Sequence, residues 1–102
     1  MKISLQKREK IYEQILAHLY SVSPKSLFTL NIASEIARDE EFVKSLLLEL
    51  KKKGLVVEIK KNPQGSPYLK RSRWKLTDST YQAYKKHQTQ AQNPNQTYLD
   101  YT

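Results

Sequence analysis

The stretch from residue 32 to residue 57 constrains the fold of this chain more than any other part. It contains two short runs of apolar residues at helical spacing. The second run consists of Val43, Leu46, Leu47 and Leu50. Three lysines and Gly54 follow it, which indicates a helix end because cations suit the carboxyl end of a helix dipole and glycine suits a left-handed cap. The β-branched residues that come next indicate a strand, so the predicted order is helix, turn, helix, strand.

The positive charge of the chain is concentrated in one segment. Residues 51–75 hold nine Lys or Arg residues and the single acid Glu58, whereas basic and acidic residues balance in 1–50, with seven of each, and in 76–102, with two of each. The net charge of +8 therefore comes entirely from 51–75. Such a concentration is typical of a protein that binds a polyanion, and the alternative is a merely solvated, charged hairpin.

The same segment has the pattern of a β-hairpin. Residues 55–60 alternate, with Leu55, Val57 and Ile59 on one face and Val56, Glu58 and Lys60 on the other. Residues 62–67 contain the Asn, Gly and Pro residues of a turn, and residues 68–76 are the predicted return strand. That strand is predicted to place Ser72, Trp74 and Leu76 on the packed face and Leu69, Arg71, Arg73 and Lys75 on the other.

Four elements make up the prediction up to residue 53. A first helix over 6–22 has an apolar arc wide enough to bury two faces, and its second face is either a dimer contact or a tyrosine-rich surface. Residues 28–30 are a predicted short strand, and Asn31 is the predicted N-cap of a helix over 32–38. Asp39 is predicted to cap the next helix, 41–53, with Glu40 and Glu41 at its start.

The chain is predicted to end in one more helix and a tail. Thr77 is the predicted N-cap of a helix over 78–88, whose tyrosines lie either on the first helix or across a dimer. Residues 89–102 are rich in Gln, Asn and Thr, which predicts a flexible tail. The expected organisation is one domain over 1–88 followed by this polar tail.

The residues of the helical core resemble those of a known family. Ala33, Val43, the pair 46–47, Leu50 and the run 54–56 match in spacing the winged helix-turn-helix of MarR-type and ArsR-type transcriptional regulators, and residues 74–78 resemble the step into their last helix. The resemblance implies an α+β, mainly α fold, in which a three-helix core carries a β-hairpin wing and an additional C-terminal helix. It also implies transcriptional regulation and a homodimer formed by the first and last helices.

Double-stranded DNA is the partner that the resemblance and the charge distribution together predict. We expect helix 41–53 to lie in the major groove and the basic wing, 58–75, to contact the backbone or the minor groove. The predicted DNA-binding residues are Glu41, Lys44, Ser45, Leu48, Lys52, Lys60, Lys61, Lys70, Arg71, Arg73 and Lys75.

Two alternatives remain open at this point. The acidic start of helix 41–53 and an outward Leu48 also suit a winged-helix module that binds a protein partner without reading DNA. Exposed tyrosines stacking on bases would suit RNA or single strands.

Other functions are disfavoured by what the sequence contains. The two histidines are far apart and the two glycines form no phosphate-binding loop, so we expect neither an enzyme nor a cofactor or metal site. Cysteine is absent, which excludes disulfides. No apolar run approaches the length of a membrane span, and we expect a cytoplasmic protein with no membrane partner.

Overall fold

The computed structural model describes residues 4–62, 64–65 and 71–91. Within these residues four helices surround a small three-stranded sheet. The elements are α1 (Leu5–Val22), β1 (Leu27–Phe28), α2 (Thr29–Glu35), α3 (Glu40–Lys52), β2 (Val56–Ile59), β3 (Arg73–Leu76) and α4 (Asp78–Ala91). This is the predicted order of a three-helix core, a β-hairpin and a last helix.

The core lies between α1, the helix pair α2–α3 and the inner face of the sheet. Its members are almost fully removed from solvent, and those with the largest buried side chains are Trp74, Ile15, Leu19, Ile32, Leu46, Leu47, Leu50 and Val43. The four apolar residues of the second helical run in the sequence are all among them, because their spacing places them on one side of α3. The face predicted for this helix is confirmed.

The wide apolar arc of α1 is buried on two sides. Its main stripe packs into the core, and Tyr20 at the edge of the arc contacts α4. The ring centroid of Tyr20 lies 5.4 Å from that of Tyr81 and 5.5 Å from that of Tyr84. The tyrosines of α4 therefore pack on α1 of the same chain, which is one of the two arrangements expected from the sequence.

The second helix begins three residues earlier than predicted. Phe28 is the extended residue before it, and Asn31 lies inside the first turn, where its side-chain oxygen accepts a 3.2 Å hydrogen bond from the Phe28 N–H. The prediction that Asn31 is the N-cap is wrong: Asn31 is the third residue of the helix, and its side chain bonds back to the N–H of the N-cap residue instead of to an amide of the first turn. The helix ends at Glu35. Ala37 adopts a φ of +57°, which is incompatible with a right-handed helix.

Both ends of α3 have the predicted caps. An Asp39 carboxylate oxygen accepts a 3.1 Å hydrogen bond from the Phe42 N–H. After Lys53, Gly54 adopts a φ of +77°, and its N–H donates to the Lys51 carbonyl. Because the left-handed residue turns the chain sharply, β2 starts directly beside the end of α3.

The sheet has the strand order β1-β3-β2, with both pairs antiparallel. Its central strand places Ser72, Trp74 and Leu76 in the interior, as the sequence predicted. The Trp74 indole N–H donates a 2.8 Å hydrogen bond to the Thr29 hydroxyl, so the base of the hairpin is attached to the start of α2. In β2 the packed face is that of Val56 and Glu58, whereas Val57 is exposed.

Some predictions fall outside the described residues. The return strand begins at Arg73, so residues 71–72, which the sequence placed in it, are not strand, and its predicted start at residues 68–70, which includes Lys70, lies outside the described residues. The helix predicted to end at residue 88 continues to Ala91, so the first residues of the predicted tail are helical. Residues 92–102 lie outside the described part of the chain.

Candidate nucleic-acid interface

One side of α3 faces solvent and carries the predicted reading residues. At 3.6 residues per turn these positions lie within an arc of about 100°. All of them are exposed: Glu41, Lys44, Ser45, Leu48 and Lys52. Their exposure agrees with the sequence prediction, and their contact with DNA stays a prediction.

The charge of this exposed side changes sign along the helix. Glu40 and Glu41 are in the first turn, and Lys51 and Lys52 are in the last. The Ser45 hydroxyl donates its hydrogen to the Phe42 carbonyl at 2.6 Å, so its oxygen remains available as an acceptor. The amino end of α3 therefore repels phosphate, and the carboxyl end, which adjoins the hairpin, attracts it.

The hairpin presents lysines on its outer surface. Lys60, Lys61 and Lys75 are exposed, and the Lys60 ammonium lies 4.0 Å from the Glu58 carboxylate. Lys70, the remaining predicted lysine of the wing, is outside the described residues. The described lysines are placed as expected for a surface that meets a polyanion.

The two arginines of the hairpin have different surroundings. The guanidinium carbons of Arg71 and Arg73 lie 5.1 Å and 5.3 Å from the centroid of the Phe28 ring. Arg73 is half-buried and also donates a 3.2 Å hydrogen bond to the Ser26 hydroxyl, whereas Arg71 is exposed. Arg73 is thus less accessible than Arg71 because it packs against Phe28 of β1, and the contact of both arginines with DNA stays a prediction.

A surface pocket of about 210 Å³ joins the start of α3 to the base of the hairpin. It brings Arg71 of the hairpin together with two predicted residues of α3, Glu41 and Lys44. The remaining lining residues are Phe28, Thr29, Leu30, Glu40 and Ser72. No pattern in the sequence predicted this pocket, because it depends on how β1 and α2 pack beside the hairpin.

Glu58 is a functional candidate that the sequence pattern did not identify. Its side chain is only 6 % exposed; one oxygen accepts a 2.6 Å bond from the Ser72 hydroxyl and the other a 2.9 Å bond from the Lys51 ammonium. Burial raises the pKa of Glu58, but Ser72, Lys51 and the charge of Lys60 outweigh it, and the pKa is held below the usual 4.5. The sequence indicated this residue only by its position as the single acid in the basic segment 51–75.

A second carboxylate attaches α3 to α1. The Glu49 carboxylate accepts bonds from the Tyr12 hydroxyl at 2.6 Å and from one Arg8 nitrogen at 2.7 Å to each of its oxygens. The Tyr12 bond is the largest cause of a lowered pKa at Glu49; burial opposes it, and Arg8 and Lys53 add to the lowering. These contacts fix the carboxyl end of α3 relative to α1.

Two features of the described part of the chain bear on other functions. Residues 4–62, 64–65 and 71–91 contain no group of three His, Asp or Glu side chains that could hold a metal ion. Within the same residues, no helix combines the length and apolar character that a membrane crossing requires.

Solved structures with the same arrangement of elements include transcription regulators. A mutant of Staphylococcus aureus MepR from a multidrug-resistant clinical isolate superposes with a TM-score of 0.64 at 24 % sequence identity, over 95 % of this chain and 70 % of that one. A double mutant of Lactococcus lactis ZitR in its apo form superposes with a TM-score of 0.60 at 19 % identity, over 94 % of this chain and 70 % of that one. The fold is the winged helix of MarR-type regulators. The fold predicted from the sequence is confirmed.

A third similar structure contains DNA. The S. aureus MepR–DNA complex superposes on the winged-helix chain with a TM-score of 0.61 at 24 % identity, over 93 % of this chain and 80 % of that one. MepR is a transcription regulator of the multidrug efflux pump MepA. No protein-family model matches the winged-helix chain, and no curated protein sequence matches it significantly. At these identities the likeness establishes the fold.

Proposed function

We propose that this chain binds double-stranded DNA as a transcriptional regulator. The observation that carries the proposal is the position of the basic hairpin. Its exposed lysines, Lys60, Lys61 and Lys75, adjoin the lysine-rich end of the exposed side of α3. A fold that also occurs in a DNA-bound regulator supports the same conclusion. The proposal assigns no catalytic step and no cofactor to the chain.

The geometry suggests how each element would contribute. A helix with one exposed side fits the major groove, and α3 would present Lys44, Ser45 and Leu48 to base edges. The lysines of the hairpin would contact phosphates, which supply affinity without sequence information. Arg71 would reach a phosphate or a narrow minor groove at the base of the hairpin.

The acidic start of α3 limits what this helix can read. Glu40 and Glu41 are exposed and would repel a nearby phosphate, but a carboxylate accepts a hydrogen bond from the amino group of cytosine. The proposed docking therefore places these two residues over base edges, away from the backbone. The amino group of cytosine is therefore a base-edge donor to which these two carboxylates are matched.

A cytoplasmic homodimer is part of the proposal. On the outer side of α1 and α4 lies a groove of about 510 Å³, lined by Glu13, Ala17, Ala83, Tyr84 and His87. Ala17 and Ala83 are exposed, so two helix surfaces could approach each other closely there. Two copies joined along this groove would place two α3 helices on successive half-sites of one duplex.

The test compares duplex affinity between two charge-matched variants. Lys60→Ala/Lys61→Ala removes two exposed cations from the hairpin, and Lys10→Ala/Lys86→Ala removes two from α1 and α4. On a mixed-sequence duplex at low salt, the hairpin variant should lose affinity at least tenfold more than the control variant. Equal losses would show that only net charge matters, and the proposal would fail.

A second candidate function is supported by two exposed leucines. Leu30 is 56 % exposed and lines the same pocket as Glu40 and Glu41, and Leu48, 41 % exposed, lies on the exposed side of α3 that begins with Glu41. An apolar surface bordered by acids suits a protein partner with a basic, apolar segment. Leu48→Ser would abolish capture of such a partner and Lys60→Ala/Lys61→Ala would leave it unchanged, whereas the DNA function requires the hairpin lysines.

A further inference from the structure

Phe28 occupies an unusual position at the base of the hairpin. It is the last residue of β1 and the residue before α2, and its main chain pairs with Arg73 in β3. Its side chain is half-buried and forms part of the wall of the pocket between α3 and the hairpin. An aromatic ring in this place therefore separates the interior of the sheet from the proposed DNA-binding surface.

Both hairpin arginines lie over this ring, but they use their hydrogen-bond donors differently. Arg73 donates to Ser26 and is half-buried. Arg71 is exposed and makes neither an ion pair nor a hydrogen bond to any other described residue, although its guanidinium lies 5.1 Å from the ring centroid. Stacking on an aromatic face holds a guanidinium in place without using its N–H groups.

Such an arrangement suits an arginine that binds a ligand. A free arginine side chain has about 2 kcal/mol of rotamer entropy to lose when it contacts a phosphate. A ring that already restricts the guanidinium removes part of that cost and leaves the donors directed at the ligand. Across the same pocket lies Lys44 of α3, so the stacked guanidinium is located between the two proposed DNA-binding elements.

The acidic residues that line the pocket do not pair with Arg71. Glu40 and Glu41 line the same pocket, yet no ion pair joins either of them to Arg71 in the described residues. The ring is therefore the contact that fixes this guanidinium, and the carboxylates only border it.

We propose that Phe28 is a positioning residue for DNA binding, which holds the Arg71 guanidinium ready for a backbone phosphate beside the hairpin. This inference rests on the proposed function and adds one role to it. Arg71, which lines the same pocket as Lys44 of α3, would then add a fixed phosphate contact to those of the hairpin lysines.

A double-mutant cycle tests the proposal. Phe28→Leu keeps an apolar side chain but removes the aromatic face, and it should lower affinity for a mixed-sequence duplex about two- to fivefold. Arg71→Ala should lower affinity further and reduce the log-log salt slope by about one per protomer. In the Arg71→Ala background, Phe28→Leu should have no further effect.

Two further variants separate positioning from general stability. Phe28→Tyr retains the aromatic face and should keep wild-type affinity. Phe42→Leu changes a half-buried phenylalanine that has no arginine over its ring among the described residues, and any loss it causes should be equal in both backgrounds. Thermal melts of each variant, followed by circular dichroism, confirm that the protein tested is folded.

The outcomes distinguish this inference from the function on which it rests. If the wild type binds the duplex and Phe28→Leu causes the same loss with and without Arg71, Phe28 acts through Arg73 or through the fold, and the inference is overturned. If Phe28→Leu binds as tightly as the wild type, the inference is also overturned. If the wild type shows no duplex binding at low salt, the proposed function itself fails.

Discussion

The indole N–H of Trp74 donates a 2.8 Å hydrogen bond to the hydroxyl of Thr29, and both residues are buried. This bond joins the central strand of the sheet to the first residue of α2, across 45 positions of sequence. It therefore links the base of the hairpin to the helix pair that includes α3. A change at this bond tests how firmly the two halves of the proposed DNA-binding surface are held together.

Thr29→Val keeps the shape of the side chain and leaves the indole N–H buried without an acceptor. We expect the variant to lose about 1–3 kcal/mol of unfolding free energy, measured by urea denaturation. The matched comparison is the same substitution in a Trp74→Phe background, which has no indole N–H. The loss should be smaller there, and an equal loss would show that the hydrogen bond is not the cause.

Gly54 tests the turn between α3 and the hairpin. Its φ is +77°, and an added Cβ would meet no atom within 4 Å, so the cost of Gly54→Ala is conformational. We expect about 1–2 kcal/mol of destabilisation in urea denaturation. Gly54→Asn should lose less, because asparagine tolerates left-handed backbone better than alanine. Equal losses for the two variants would contradict a conformational origin.

Glu58 makes the stability of the protein dependent on pH in the acid range. Its pKa in the folded protein is below the usual 4.5, because the hydrogen bonds and positive charges around it outweigh its burial. Folding therefore gains stability from this group above that pH and loses it as the pH falls through the lower, folded value. Between about pH 5 and pH 3 the free energy of unfolding should decrease less for Glu58→Gln than for the wild type.

The control for this measurement is Glu9→Gln, which removes an exposed carboxylate of α1. As the pH falls, the free energy of unfolding of this variant should decrease in parallel with that of the wild type. A Glu58→Gln curve parallel to the wild-type curve would show that the Ser72 and Lys51 contacts do not favour the charged form.

The homodimer is tested by adding charge to the groove between α1 and α4. Ala17→Glu/Ala83→Glu places two carboxylates in the proposed interface, and because both positions are exposed helix positions the monomer should remain folded. Light scattering at tens of micromolar should give a dimer for the wild type and a monomer for this variant. Gln14→Glu/Gln82→Glu adds the same charge at other exposed positions of the two helices and should remain dimeric. A monomeric wild type would remove the dimer from the proposal.

The elements that depend on local chemistry could be predicted from the sequence. Asp39, the lysines at the end of α3 and Gly54 act on neighbours within a few residues, so the bounds and buried face of α3 follow from their order. Asn31 was misplaced because a polar side chain can satisfy an amide at a helix start either as the N-cap or, as here, from the third helical residue back to the N–H of the N-cap. The family resemblance correctly predicted the fold.

The details of the candidate site could not be predicted in the same way. The stacking of Arg71 and Arg73 on Phe28 joins residues more than forty positions apart, and no periodic pattern records such a contact. In β2 each face offers apolar residues, so alternation alone does not tell which of Val56 and Val57 is buried. The burial of Glu58 follows from that choice, and only the packing of the sheet on α3 decides it.

The most direct test of the central claim is the affinity of the wild type for a mixed-sequence duplex across a series of salt concentrations. A hairpin that neutralises about five phosphates per protomer predicts a log-log slope near −4 to −5, doubled for a dimer. Duplex binding that strengthens in this way as salt is lowered would establish the chain as a DNA-binding protein led by phosphate contacts. Absence of binding at low salt, or affinity that does not change with salt, would contradict the account.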